Sequence, residues 1–216
     1  MIDCGSNIFE RIIAKHLLDD VNNVHVAITH RHPDHIGSLG DLIFYCYYVK
    51  KIKVNILSGD KYINQLLLDM GVINTIYTFN MDSYINDLDL FINFKKTTHC
   101  CVYKLGNNYV DAIIYGYGDH TDLFLCYSII LKKDNEKIFY SGDTHYLDFE
   151  NVQFDKYYIE CCIARYPSNP HYNIDELNKT CKYNNIPVNK VWCMHFDSDE
   201  AIKRAKKLGF NVVTII

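Results

Sequence analysis

The sequence predicts an α/β fold with two sheets between outer helices, and three observations support this class. Short apolar strands alternate with amphipathic helices in the first and last thirds of the chain. Residues 91–141 have instead the pattern of β-hairpins, so the strands outnumber those of a single doubly wound sheet. No Pro- or Gly-rich linker, repeat or low-complexity segment divides the chain, so residues 1–216 are expected to form one domain.

The first third alternates buried strands with helices that have one apolar face. Gly5 ends the first strand, and Gly71 ends the last of these helices. Because the chain begins inside a predicted core strand, two alternatives stay open: the domain is compact at this end, or an upstream segment is missing. The predicted elements are strands over residues 1–4, 24–29 and 53–57 and helices over residues 8–18, about 38–50 and 60–70.

The rest of the chain passes from hairpins back to strands and helices. The turns Gly106-Asn107-Asn108 and Lys133-Asp134-Asn135 close two hairpins. Asn173 caps one later helix, and Gly209 ends the other. The predicted elements are strands over residues 100–105, 109–115, 124–131, 137–141, 156–161, 190–193 and 211–215 and helices over residues 174–184 and 198–208.

Composition and charge restrict the partners of the chain. Hydrophobic residues make up 49% and aromatic residues 14% of it, as in a globular protein with a packed core. The net charge of −4 and the lack of a basic stripe argue against binding to long nucleic acid. No apolar stretch is long enough to cross a bilayer, so no membrane partner is expected. The nine cysteines, without a C-x-x-C motif, are expected to be reduced packing residues of a cytoplasmic protein.

The densest group of potential metal ligands follows the predicted strand over residues 24–29. His30, His32, Asp34 and His35 place three imidazoles and a carboxylate within six positions, and zinc favours both donor types. Pro33 excludes a helix interior, so this segment is predicted to be a loop. In an extended chain His30 and His32 share a face and can hold one metal. Asp34 and His35 follow the turn at Pro33 and can serve a second.

This segment resembles the H-x-H-x-D-H signature of the metallo-β-lactamase superfamily. The flanking Ile2-Asp3-Cys4-Gly5 is similar to the strand end that precedes the signature in many members. The resemblance implies the fold of that superfamily, a four-layer αββα sandwich. It extends over most of the chain, from Asp3 to His195.

Three later motifs resemble the remaining ligand motifs of the superfamily. Asp119-His120-Thr121 is similar to the third-histidine motif of ribonuclease Z and related phosphodiesterases, although Cys126 stands where a glycine is usual. His99 competes for this role, but it lacks the strand that should follow. Ser141-Gly142-Asp143-Thr144 resembles the element whose aspartate bridges two metals, and Trp192-Cys193-Met194-His195-Phe196 resembles the last-histidine strand.

The resemblance implies a dinuclear centre with two Zn²⁺ ions, for which Mn²⁺ is a possible substitute. One ion would be held by His30, His32 and His120, and the other by Asp34, His35 and His195, with Asp143 shared. Two metals about 3.5–4 Å apart can share a water, lower its pKa to about 7 and clamp a substrate oxyanion. The predicted mechanism is attack of a metal-bridging hydroxide, oriented by Asp34, on phosphorus.

Glu160 and His171 look like an acid–base pair of the ribonuclease Z branch. The resemblance implies that the glutamate orients the histidine, which protonates the leaving alkoxide. The alternative is a surface acid at a strand end and a histidine that simply precedes a helix.

The predicted substrate is a small phosphodiester, in particular a cyclic nucleotide. Only 23 positions separate His120 from Asp143, where ribonuclease Z commonly inserts its RNA-gripping arm. In outline the chain is similar to the compact anti-Pycsar cyclic-nucleotide phosphodiesterases of phages. The alternatives are an RNA-processing nuclease of the ribonuclease Z type, a thioesterase or lactamase on the same fold, and a binding protein without activity.

Two questions about aromatic residues stay open. Tyr166, Tyr172 and Phe196 could stack on a base or pack in the core. The run Phe44-Tyr45-Cys46-Tyr47-Tyr48 could form the interface of a homodimer, which is frequent in this branch, or bury one face of a helix.

Overall fold

The computed structural model describes residues 1–60, 62–78, 100–105, 110–121, 124–133, 135–147, 149, 152–165 and 169–213. The chain divides into two compact units, Met1–Tyr84 and Ile85–Ile216. That residues 1–216 form one domain stays a prediction.

The first unit contains a parallel sheet with the strand order β1-β2-β3. The predicted strand over residues 1–4 was wrong in extent, because it contributes a single parallel bridge between Ile2 and Ala27. The next residue, Asp3, has a φ of +55°, which is outside the extended region. The strands are β1 (Val24–Ile28), β2 (Val54–Ser58) and β3 (Ile76–Thr78).

The helices of the first unit follow the predicted order, although the first ends at Ala14 and not at Leu18, and two other segments differ as well. A one-turn helix replaces the predicted loop at Pro33, because proline is well accommodated at the first helical position. The helix predicted to end near Lys50 does so, but its second half, Tyr45–Lys50, is π-helical. The α-helices are α1 (Ile8–Ala14), α2 (Pro33–Ile36), α3 (Leu39–Phe44) and α4 (Ile63–Asp69), with a short 3₁₀ turn at Ile73–Thr75.

The apolar faces of these helices pack with the sheet into one core. Val26 and Ile28 of β1, Leu42 and Ile43 of α3 and Leu67 of α4 have no exposed surface. Burying each such side chain contributes about 1.5–3 kcal/mol to folding. This core fixes the carboxyl end of β1, from which the histidine-rich segment departs.

The second unit contains a sheet with the order β10-β9-β8-β7-β6-β5-β4. Neighbours from β4 to β7 pair antiparallel, whereas those from β7 to β10 pair parallel. The prediction of more than one sheet is therefore confirmed. The strands are β4 (Cys100–Leu105), β5 (Val110–Thr121), β6 (Phe124–Lys133), β7 (Glu136–Tyr140), β8 (Lys156–Glu160), β9 (Val191–Met194) and β10 (Asn211–Val212).

Two capped helices, α5 (Ile174–Tyr183) and α6 (Asp199–Lys207), complete the second unit, with a 3₁₀ turn at Val188–Lys190. The cap predicted at Asn173 is confirmed, since its side chain accepts a hydrogen bond from the amide of Asp175. Across the described part of the chain, every helix is too short or too polar to cross a bilayer.

An aromatic cluster forms much of the core of the second unit. The ring centroids of Phe139 and Phe149 are 5.1 Å apart, and those of Phe154 and Tyr157 are 5.4 Å apart, both in edge-to-face arrangements. The cysteines whose side chains are described are buried and free, in agreement with the prediction of reduced thiols: Cys4, Cys46, Cys126, Cys161, Cys162, Cys181 and Cys193.

Candidate metal centre

Three histidines of the first unit gather at the end of β1. Nε2 of His30 lies 2.9 Å from Nδ1 of His32, and the ring centroids of His30 and His35 are 4.0 Å apart. His30 and His35 are buried. Two ring nitrogens at this separation can direct their lone pairs at one cation, so the pair fits zinc or a similar divalent metal.

Asp3 orients one of these histidines. Its Oδ1 accepts a hydrogen bond from the amide of Thr29 at 2.8 Å, and its Oδ2 lies 2.7 Å from Nδ1 of His35. Because a carboxylate accepts, Nδ1 of His35 carries the proton and Nε2 keeps the lone pair that a metal requires. Sequence reasoning quoted Asp3 without giving it a role. The available signal was an ionisable residue inside an otherwise apolar predicted strand.

Gly5 brings the segment after Asp3 close to the ligand loop. A Cβ atom at Gly5 would lie 1.8 Å from the carbonyl oxygen of Asp34, so only glycine fits there. The amide of Cys4 also donates to the carbonyl of His35 at 2.7 Å. The Asp34 side chain is 56% exposed, and its Oδ2 lies 3.6 Å from Nε2 of His35.

Arg31, between the first two histidines, anchors the loop from its other side. Its Nε lies 2.5 Å from Oδ2 of Asp60, and its guanidinium lies 5.5 Å from the centroid of the Tyr62 ring. Asp60 also accepts a hydrogen bond from the amide of Tyr62 at 2.8 Å. Sequence reasoning missed this ion pair, because the partners are far apart in the chain.

In the second unit, the sheet topology gathers the later predicted residues. Asp143 follows β7, Glu160 ends β8 and His195 follows β9, and the carboxyl ends of parallel strands meet at one edge of a sheet. Nδ1 of His195 lies 3.8 Å from Oδ1 of Asp143 and 3.6 Å from Oε2 of Glu160. His195 has a φ of +53°, a left-handed conformation that is uncommon outside glycine and concentrates at functional sites.

Glu160 and His171 form a close pair at the same edge. Nδ1 of His171 lies 2.6 Å from Oε2 of Glu160, whose side chain has no exposed surface. The other carboxylate oxygen of Glu160 accepts a hydrogen bond from the amide of Thr144. The hydrogen bond with Glu160 raises the pKa of His171 above its ordinary value, although burial of the ring opposes this shift.

These residues of the second unit suit a divalent metal. Asp143, Glu160, His171 and His195 each offer one ligand atom, and the four atoms lie within 4.8 Å of one another. Carboxylate and imidazole donors are those that zinc and manganese take in proteins.

The remaining candidates have separate positions. His120 lies near the end of β5, which is longer than predicted and runs through Asp119-His120-Thr121. Its side chain, and all of His99 and Tyr166, lie outside the described residues. Tyr172 is buried and its hydroxyl lies 2.7 Å from that of Thr180, while Phe196 packs against the same core. These last two rings are therefore packing residues.

Solved structures share this fold at low sequence identity. The metallo-β-lactamase fold protein YhfI of Bacillus subtilis matches with a TM-score of 0.68, 18% identity and coverage of 98% of this chain and 81% of that one. A diphosphatase of the PhnP family matches with a TM-score of 0.67 and 12% identity over 98% of this chain and 76% of that one. For the short form of human tRNase Z the TM-score is 0.63, with 12% identity over 99% and 84%. The predicted metallo-β-lactamase type of α/β fold is confirmed.

Fold and donor set together define a protein of the metallo-β-lactamase fold with side chains that could hold a divalent metal. A family model described as Anti-Pycsar protein Apyc1 matches residues 1–214, and the chain belongs to this family. The Apyc1 protein of Bacillus phage vB_BsuM-Goe3 is 25% identical over 224 residues, which cover 97% of this chain and 83% of the relative. That of Bacillus phage vB_BveM-Goe7 matches to the same extent.

Proposed function

We propose that the chain is a metal-dependent phosphodiesterase whose substrate is a cyclic nucleotide. The observation that carries the proposal is the pair of the buried Glu160 and the half-buried His171, which lies beside Asp143 and His195. A departing alkoxide needs a proton at neutral pH, and a positioned general acid accelerates such a step about 10²–10⁴-fold. A thiolate leaves without one. The pair therefore favours a phosphodiester over a thioester.

The proposed ligands are those that the resemblance implies. His30, His32 and His120 would hold one ion and Asp34, His35 and His195 the other, with Asp143 contributing to both. Zinc is the proposed metal and manganese a possible substitute. When bound, the ions would supply Lewis acidity and a coordinated water with a pKa of about 7.

Protein side chains would orient the attacking water and protonate the leaving group. Asp34, whose carboxylate is largely exposed, would orient the attacking water. His171 would donate its Nε2 proton to the departing ribose oxygen, while Nδ1 stays hydrogen-bonded to Glu160. The P–O bond to the ribose breaks, a new P–O bond to the water oxygen forms, and the product is a linear nucleotide.

Charge and family support a small substrate. The net charge of −4 opposes binding to a long polyanion, whereas metal ions can neutralise one phosphodiester locally. Membership of the family named after the anti-Pycsar protein Apyc1 favours a cyclic nucleotide over a tRNA precursor. The match to tRNase Z concerns the fold only.

The test is a substrate screen with purified protein supplied with Zn²⁺ or Mn²⁺. Cyclic mononucleotides, cyclic dinucleotides and bis(p-nitrophenyl) phosphate are incubated beside nitrocefin, a thioester and a tRNA precursor, and the products are separated by chromatography. We expect turnover of a cyclic nucleotide and of the nitrophenyl diester. Asp143→Ala should abolish it and lose both metals, while the exposed Asp19→Ala should not. Turnover of nitrocefin, thioester or tRNA precursor alone would contradict the proposal.

The homodimer stays a prediction. In the aromatic run, Cys46 is fully buried, whereas Phe44 and Tyr48 are 38% and 59% exposed, with ring centroids 5.8 Å apart. A buried helix face thus accounts for only part of the run. Sedimentation equilibrium, compared between the wild type and Tyr48→Glu, tests whether the exposed part joins two copies.

A further inference from the structure

A buried side chain of β6 and a backbone amide of β8 hold the loop that carries Asp143. Ser128 of β6 donates to the carbonyl of Ser141 at 2.6 Å, and Ser141 in turn accepts a hydrogen bond from the amide of Glu160 at 3.0 Å. The loop includes Gly142, whose φ is +61°. The conformation of the loop therefore depends on contacts with the strands on both sides of β7.

Cys126 makes the contact nearest to the proposed ligand. Its Sγ lies 3.1 Å from the backbone nitrogen of Asp143 and accepts a hydrogen bond from it. Cys126 is 1% exposed and Asp143 is 2% exposed, so solvent does not compete for this contact. Cys126 and Ser128 lie two positions apart on one strand, so both point to the face that carries the loop.

We infer that Cys126 is a positioning residue of the metal centre, whose sulfur sets the direction of the Asp143 carboxylate through the backbone amide. This inference rests on the proposed function, in which Asp143 bridges the metals. The amide nitrogen that Cys126 holds is bonded to the Cα of Asp143, so a rotation about this N–Cα bond would swing the carboxylate. The third-histidine motif that this segment resembles usually has a glycine where Cys126 stands. A glycine has no side chain to make this contact.

The test compares three variants of Cys126 with one control variant. Cys126→Ala removes the acceptor and leaves a small cavity, Cys126→Val removes it and adds about one methyl group, and Cys126→Ser replaces it with an oxygen. The control Cys181→Ala deletes a thiol of equal burial from α5. Each metal-free protein is titrated with Zn²⁺ against a chromogenic chelator, and kcat and KM are measured on the nitrophenyl diester.

We expect Cys126→Ala and Cys126→Val to weaken zinc binding about tenfold, as outer-shell substitutions do, and to lower kcat with little change in KM. Cys126→Ser should recover part of both losses, and Cys181→Ala should match the wild type. If Cys126→Ala does not fold, the valine and serine variants decide. Wild-type zinc affinity in Cys126→Val overturns the inference. Retention of zinc by Asp143→Ala would instead contradict the proposed function itself.

Discussion

Nδ1 of His171 lies 2.6 Å from Oε2 of Glu160, and the same carboxylate oxygen lies 3.6 Å from Nδ1 of His195. Glu160 is fully buried, so its charge acts on both rings with little screening by water. The arrangement fixes the His171 ring through its Nδ1, and in the proposed function its Nε2 transfers the proton. It differs from the alternative left open by the sequence, in which Glu160 is a surface acid at a strand end and His171 simply precedes a helix.

The Glu160–His171 pair predicts that the loss of kcat in His171→Ala depends on the leaving group of the substrate. His171→Ala should lower kcat about 10²-fold on a cyclic nucleotide, because its alkoxide must be protonated as it departs. The loss on bis(p-nitrophenyl) phosphate should be much smaller, because nitrophenolate leaves unprotonated. Steady-state kinetics on both substrates measure the difference. His16→Ala, which deletes a histidine that is 78% exposed, is the control. Equal losses on the two substrates would remove His171 from this role.

Asp3 is expected to control metal affinity without binding the metal. Asp3→Asn should weaken zinc binding about 10–100-fold, since a neutral amide no longer fixes the tautomer of His35. Titration of the metal-free protein with Zn²⁺ measures the affinity. Asp19→Asn changes an aspartate that is 62% exposed and should have no effect. An unchanged affinity in Asp3→Asn would show that Asp3 only braces the backbone of Thr29.

The close approach at Gly5 predicts a cost for the smallest possible side chain. Gly5→Ala should destabilise the protein by about 1–3 kcal/mol, because the added methyl group forces the ligand loop to move. Thermal unfolding and zinc content report the two consequences. Gly40→Ala is the matched control: its Cβ meets only the flexible end of Met70, at 3.2 Å, and helical alanine is favourable. Similar losses of stability in Gly5→Ala and Gly40→Ala would contradict the explanation by steric contact at Gly5.

A second prediction on stability concerns acid pH. Hydrogen bonds from Arg204 lower the pKa of Asp175 below its usual value of 3.8. A carboxylate with a lowered folded-state pKa stabilises the protein above its usual pKa, and this contribution is lost as the pH falls through the lowered value. Asp175→Asn should therefore cost about 0.5–1 kcal/mol near neutral pH and nothing at strongly acid pH.

Urea unfolding across the pH range measures this effect. Asp199→Asn, which changes an exposed carboxylate in the first turn of α6, is the control for the loss of helix-terminal charge. A deficit in Asp175→Asn that persists at strongly acid pH, or one that Asp199→Asn reproduces, would exclude the ion pair as its cause.

Sequence patterns predicted the parts of the site that depend on strand order. Asp143, Glu160 and His195 each stand where an apolar run ends, and the ends of parallel strands share an edge. The role of Asp3 could not be predicted, because it depends on how the backbone leaves the sheet at a positive φ. Likewise, the contact of Cys126 with the amide of Asp143 follows from the packing of a loop, which no local pattern encodes.

Asp143 and His195 follow, and Glu160 ends, strands that pair in parallel, whereas only two residues separate β5 from β6 and β6 from β7. Closing the longer crossovers costs more chain entropy, so the hairpins are expected to form first and these three side chains to meet last. Zinc capture should then coincide with completion of the native state. Zinc added at the start of refolding should leave the refolding rate unchanged. The zinc-bound protein should unfold more slowly than the metal-free protein.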